Sequence, residues 1–207
     1  SGNADMYNVA VGHDAGLSLT TGEQNTLIGG HAGDALTDGN TNVAVGTYAL
    51  SAETRGDRNT AVGRQALASQ NNTSDTDVYN TAVGYNAGLN VTTGIQNTII
   101  GGLAGDALTT GGSNTAVGYQ TLSTEDTGTR NTALGYQALR DLNYDGTGHN
   151  VAVGYQSGVS VSTGTSNTLI GALSGDALTT GNNNVALGYS SLSAETQGDR
   201  NVAIGKD

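Results

Sequence analysis

The chain has 207 residues, a formal net charge of −11, only seven lysines and arginines, and no Cys, Pro, Trp or Phe. So acidic and base-poor a chain binds phosphate badly, which argues against nucleic acid and anionic membranes as partners, and the lack of Cys removes disulfides, thiolate metal sites and cysteine nucleophiles. The hydrophobic content of 35% would alone point to disorder, but the aliphatic residues fall in strict register, and no apolar run reaches the length of a membrane-spanning segment.

The register is set by a pentad: Asn, then Thr or Val, then Ala, Leu or Ile, then Val, Ile or Leu, then Gly. In chain order it starts at Asn8, Asn25, Asn42, Asn59, Asn80, Asn97, Asn114, Asn131, Asn150, Asn167, Asn184 and Asn201. Nine of the eleven intervals are 17 residues, and the others are 21 and 19. A period near 20 residues means one small unit stacked on itself. The expected fold class is all-β, a parallel β-solenoid (β-roll) of about twelve coils with a 17-residue period.

Numbering each coil from its Asn, positions 2 and 4 share one strand face and position 3 the other. Position 4 is always Val, Ile or Leu and is the expected core. Position 3 is Ala in nine copies and Leu27, Ile99 and Leu169 in the rest; it is expected to be a second apolar face buried against another chain. The Gly at position 5 marks a corner needing a positive φ or a close backbone approach. A second Gly at position 15 (Gly22, Gly39, Gly56 and their equivalents) marks another turn, with a short strand between the two, such as Leu17-Ser18-Leu19 or Ala35-Leu36-Thr37. Stacked at about 4.8 Å per coil, the array would be roughly 55 Å long. The twelve position-1 asparagines are then expected to form a hydrogen-bonded ladder.

A longer period overlies this one. Position 9 reads Gly16, Gly33, Leu50, Leu67, then Gly88, Gly105, Leu122, Leu139, then Gly158, Gly175, Leu192. Four coils therefore make a unit, and the array divides into units over 8–79, 80–149 and 150–207. The fourth coil of a unit is the lengthened one. The array reads as a segment of a longer fibre.

Candidate chemistry is sparse. Asp34, Asp106 and Asp176 recur in GDALT segments but lie four coils apart, which favours solvated turns over a Ca²⁺ ladder. Arg55-Gly56-Asp57 spells an integrin-type tripeptide, yet its Gly belongs to the repeat. Glu53/Arg58, Glu125/Arg130 and Glu195/Arg200 recur at a spacing of five and read as surface ion pairs. His13, His31 and His149 show no metal-ligand spacing. There is no nucleophile elbow and no phosphate-loop lysine. No catalytic residue, metal or cofactor is therefore assigned. Insertions in solenoids often form the binding face, so the insertions Ala68–Tyr79 and Arg140–His149 supply the candidate receptor contacts: Asp75, Asp77, Tyr79, Tyr144, Asp145 and His149. Tyr85, Tyr119, Tyr136, Tyr155 and Tyr189 share position 6 and read either as an exposed aromatic row for glycan or protein contact or as packing over neighbouring coils.

The pentads Asn8–Gly12 (NVAVG) and Asn201–Gly205 (NVAIG) resemble the head repeat of YadA-like trimeric autotransporter adhesins, and similar repeats occur in phage tail fibres and bacterial fibre tips. The resemblance covers essentially the whole chain. It implies a left-handed β-roll, a homotrimer and an extracellular, non-enzymatic adhesive fibre on a cell or virion surface that attaches to a glycan or protein receptor. Two other readings stay open: a structural spacer, and an ice-binding solenoid. Ice binding needs flat ranks of Thr; position 2 supplies Thr in seven of twelve coils, but on the expected assignment it shares a face with the core.

Overall fold

The computed structural model describes residues 6–206. Over the described residues the chain is an all-β parallel solenoid without helices. Its strands are β1 (Val9–Val11), β2 (Thr26–Ile28), β3 (Val43–Val45), β4 (Gly56–Asp57), β5 (Thr60–Val62), β6 (Thr76–Asp77), β7 (Thr81–Val83), β8 (Thr98–Ile100), β9 (Thr115–Val117), β10 (Thr132–Leu134), β11 (Val151–Val153), β12 (Thr168–Ile170), β13 (Val185–Leu187) and β14 (Val202–Ile204). Twelve of them, one per pentad, form a single parallel sheet in sequence order, while β4 and β6 make a two-stranded sheet at the first lengthened coil. The register never slips: Val9 faces Thr26, Ala44 faces Ala61, and the match holds across both lengthened coils.

The two strand faces are the reverse of the expected assignment. Position 3 is the core of the single chain: Leu27, Ala44, Ala61, Ala82, Ile99, Ala116, Ala133, Ala152, Leu169 and Ala186 are fully buried. Position 4 points outward, with Ile100 38% and Leu134 43% exposed. Alternation alone says only that the two faces differ. What decides is volume, because a 17-residue coil encloses a narrow interior in which Ala fits beside a larger partner.

That narrowness also accounts for the four-coil period. In the second coil of each unit the large residue sits at position 3 (Leu27, Ile99, Leu169), and the opposite position 9 is Gly. A Cβ on Gly33 would lie 2.8 Å from Leu27 Cδ2, and one on Gly175 2.8 Å from Leu169 Cδ2. In the third and fourth coils position 3 is Ala, and the volume returns at position 9 as Leu50, Leu67, Leu122 and Leu139, all buried. The repeat exchanges volume across the core and so keeps its packing dense.

The expected second strand is absent. Segments such as Leu17–Leu19 and Ala35–Thr37 run through turns, because positions 7 and 9 hold left-handed backbone, as at Asp14 (φ 55°) and Gly16 (φ 62°). Coil-to-coil hydrogen bonding continues there without strand geometry: Gly16 N–H donates to Ala32 O (3.0 Å) and Ser18 N–H to Asp34 O (3.0 Å).

Asparagine side chains fill the corner beside the sheet. Asn25 Nδ2 donates to Gly39 O at 2.9 Å, and Asn25 Oδ1 accepts from the backbone N–H (2.9 Å) and Nδ2 (3.2 Å) of Asn42. The same acceptance from the next backbone N–H recurs from Asn8 to Asn201, with the coil 4 to 5 rung stretched to 3.3 Å at Asn80. Each bond contributes about 1 kcal/mol net, but leaving such a buried group unpaired costs about 1–3 kcal/mol. The ladder is thus as much a specification of register as a source of stability.

The three glutamates are not surface ion pairs. They occupy position 12, which elsewhere holds core residues such as Leu36, Val91, Leu108 and Leu178. Glu53 and Glu125 are fully buried. Glu53 Oε1 accepts from the backbone N–H groups of Thr54, Arg55, Gly56 and Asn72 (2.8–3.1 Å), and Oε2 from Gln70 Nε2 (2.8 Å) and Asn72 Nδ2 (3.1 Å). Glu125 accepts from Gly128 N–H (2.8 Å) and Tyr144 N–H (3.3 Å). Gln70, Asn72 and Tyr144 all belong to the lengthened coil that follows. The glutamate in the third coil is therefore the internal anchor for the longer fourth one. Arg58 pairs instead with Asp77.

Burial pushes the Glu125 carboxyl above its ordinary range, against the opposing pull of the Gly128 and Tyr144 N–H groups. An acid whose folded pKa is raised holds its proton more tightly in the folded chain, so this contribution to stability is present in full below the unfolded pKa and is lost as pH rises through the folded one. Glu125→Gln, which keeps an acceptor oxygen but no charge, is therefore expected to gain in melting temperature relative to the parent between pH 4 and pH 7. Melts of the two proteins at both pH values test this; a difference unchanged by pH would refute it.

Candidate functional site

One surface runs along all twelve pentads: the outer face of the twelve-stranded sheet. Positions 2 and 4 hold only Thr, Val, Ile and Leu in all twelve coils, and both point away from the core. The face carries no charge and presents Val9, Val11, Ile28, Ile100, Leu134 and Ile170 among its exposed aliphatics. An uncharged apolar surface running the length of a molecule marks an interaction face. It takes over the role expected of position 3, which the single chain already buries.

Beside this face runs the position-6 column. Tyr119 stacks on Tyr136 (centroids 5.8 Å apart) and Tyr136 on Tyr155 (5.3 Å). Tyr85 lies under Arg64 and Tyr189 under Lys206. The rings pack over neighbouring coils and still expose about half of their surface. At position 7, the amides of Gln120, Gln137 and Gln156 hydrogen-bond in series at 2.9 Å.

The six candidate receptor residues fall into two separate clusters four coils apart, about 19 Å along the stack. In the first, Asp75, Asp77 and Tyr79 are exposed, Tyr79 Oη donates to Asp77 Oδ2 (3.3 Å), and Arg58 lies over the Tyr79 ring. In the second, Asp145 and His149 are exposed, whereas Tyr144 packs against the core. Asp145 Oδ1 accepts from Thr127 Oγ1 (2.7 Å). Neither insertion is a free loop, since Gln70, Asn72, Val78 and Leu142 are buried.

The Arg55-Gly56-Asp57 tripeptide is tied into the coil. Gly56 and Asp57 form β4, Asp57 Oδ1 accepts from Asn40 N–H (2.6 Å), and Arg55 pairs with Asp38 (3.2 Å). The GDALT aspartates are half-buried rather than solvated: Oδ1 of Asp34, Asp106 and Asp176 is enclosed and finds no partner within the protein. Burial raises the pKa of Asp106.

One constellation escaped sequence reasoning. His13 Nδ1 lies 3.1 Å from Asp14 Oδ2, and His31 Nδ1 lies 3.9 Å from the same oxygen and 3.3 Å from Asp34 Oδ2. Helical or hairpin ligand spacings do not apply to a solenoid; the relevant separation is one coil give or take a residue, here 17 residues from Asp14 to His31, with His13 the residue before Asp14.

The chain matches no protein-family model, no curated protein and no solved structure.

The surface thus offers three chemistries. A long uncharged sheet face of aliphatic and Thr side chains suits protein contact, a stacked Tyr and Gln edge suits polar planar groups, and one imidazole–carboxylate cluster suits a cation. No helix in the described residues is long and apolar enough to cross a membrane.

Proposed function

We propose that the chain is a non-enzymatic segment of an extracellular fibre, in which three parallel left-handed copies pack through the outer sheet face and carry attachment sites for a cell-surface receptor. The observation that supports this reading is the uncharged outer face, which carries an aliphatic residue at position 4 of every coil and Thr or Val at position 2. Its side chains repeat at the coil spacing over twelve rungs, and only a partner with the same axial period meets all of them in register; another copy of this chain has that period. The number three and the handedness rest on the likeness to YadA-like heads. Asp75, Asp77, Tyr79, Tyr144, Asp145 and His149 are the proposed receptor contacts, each weak alone and multiplied by threefold presentation.

Light scattering on a size-exclusion column is expected to give three times 20.7 kDa. Ile100→Lys with Leu134→Lys, both at half-exposed positions, is expected to give folded monomers, because two charges per chain cannot be buried unpaired. A folded monomeric parent would overturn the trimeric fibre.

The reversed strand faces also favour a second reading. Position 2 does not share a face with the core, so Thr26, Thr60, Thr81, Thr98, Thr115, Thr132 and Thr168 stand on the outer sheet face at multiples of the coil spacing. A monomer that inhibits ice recrystallisation would establish ice binding; a trimer without that activity would exclude it.

A further inference from the structure

We infer that His13, Asp14 and His31 form a binding site for a divalent transition cation of the Zn²⁺ class, joining the first two coils. Their donor atoms all lie within 4.8 Å of one another. A tetrahedral ion with bonds of about 2.1 Å brings its ligands to about 3.4 Å apart. The His13–Asp14 pair is already at 3.1 Å and the His31–Asp14 pair at 3.9 Å. His13 is 78% exposed at its side chain, so ring rotation closes the remaining gap without moving the backbone.

The scaffold is rigid where rigidity is needed. Asp14 (φ 55°) and His31 (φ 56°) occupy the same left-handed position in successive coils, which holds their backbones one rung apart. His31 N–H donates to His13 O at 2.8 Å. The His31 ring stacks on Tyr48, 4.9 Å between centroids and 2° from parallel, so its nitrogen is aimed before any ion arrives. Asp34, 3.3 Å from that nitrogen, adds a second carboxylate, and the cluster sets two negative charges beside two imidazoles. Two imidazoles and carboxylate suit Zn²⁺, Ni²⁺ or Cu²⁺; Ca²⁺ and Mg²⁺ prefer all-oxygen shells.

The repeat itself isolates the three donors. One unit further on, His13, Asp14 and His31 are replaced by Tyr85, Asn86 and Leu103, and two units on by Tyr155, Gln156 and Leu173. All three coordinating side chains depart from the repeat together, at one place, while Asp34 persists as Asp106 and Asp176.

The test is calorimetric titration of Zn²⁺ into the metal-stripped, tag-free protein, and it is independent of oligomeric state and of the fibre reading. One ion per chain is expected, with a rise in melting temperature as the ion staples the two coils. His13→Ala and His31→Asn are each expected to weaken binding at least about tenfold; Asn tolerates the positive φ of residue 31, and His13 is exposed, so both variants fold. His149→Ala, far along the stack, is expected to leave binding unchanged. No Zn²⁺ binding by the parent, or binding that survives both the His13 and His31 substitutions, would overturn the site.

Discussion

Gly118→Ala is expected to break the solenoid in the middle. Gly118 has φ 136°, and a Cβ there would lie 2.4 Å from the carbonyl oxygen of Gly135 and 2.7 Å from its carbonyl carbon. Both obstacles are backbone of the next coil, so no side chain can swing aside. The coils must separate, which severs the Asn114–Asn131 rung and the local sheet pairing. The expected loss exceeds about 4 kcal/mol, the range of the most damaging single substitutions. Because each coil is held only by its neighbours, limited proteolysis should cut near the substitution and leave two stable pieces. Gly30→Ala is the control: that glycine has nothing within 4 Å of its Cβ position and no positive φ, and it should cost no more than about 0.5 kcal/mol. Equal unfolding midpoints for the two variants would refute the account.

The second large effect is expected at Glu53. Glu53→Ala leaves four backbone N–H groups and two side-chain amides without an acceptor at a buried site. A loss of at least about 3 kcal/mol follows, since each buried donor left without an acceptor costs about 1–3 kcal/mol. Arg58→Ala should cost at most about 1 kcal/mol, since Arg58 is half-exposed and its pair with Asp77 lies at the surface. Denaturant unfolding of both variants compares them directly. If both cost less than about 1 kcal/mol, Glu53 is not an anchor.

The solenoid, its period and its coil count were legible because identity at every seventeenth residue has no other physical source. The fixed Gly at position 5 was legible as a corner for the same reason. The inside and the outside of the strand were not, since Val-Ala-Val alternates equally well either way round. Only the exchange of Leu50 and Leu67 against Gly16 and Gly33, weighed as volume across a narrow core, would have identified Ala as the inward residue. The turns from position 6 to position 11 were hidden too. Tyr48, Gln65, Leu103 and Gln137 all adopt a left-handed backbone at position 7, and nothing in their chemistry announces it; contacts to adjacent coils impose it. The buried glutamates were misread because a carboxylate five residues before an Arg looks like a surface pair until the turn closes over it. The His13–Asp14–His31 cluster is not legible as a local motif because its members are adjacent residues on one coil and a residue one coil further on.

The hydrogen bonds between coils run along the axis of the stack, so tension applied through the two ends loads them directly instead of shearing them. Each rung carries its share of sheet, asparagine and turn bonds in parallel, and the rungs act in series. Under load the outermost rung yields first, and each release frees 17 residues, about 55–60 Å of extended chain. A stack of this kind lengthens in equal steps and dissipates work one rung at a time. It behaves as a mechanical fuse, with the two lengthened coils, anchored by Glu53 and Glu125, as its odd-sized steps.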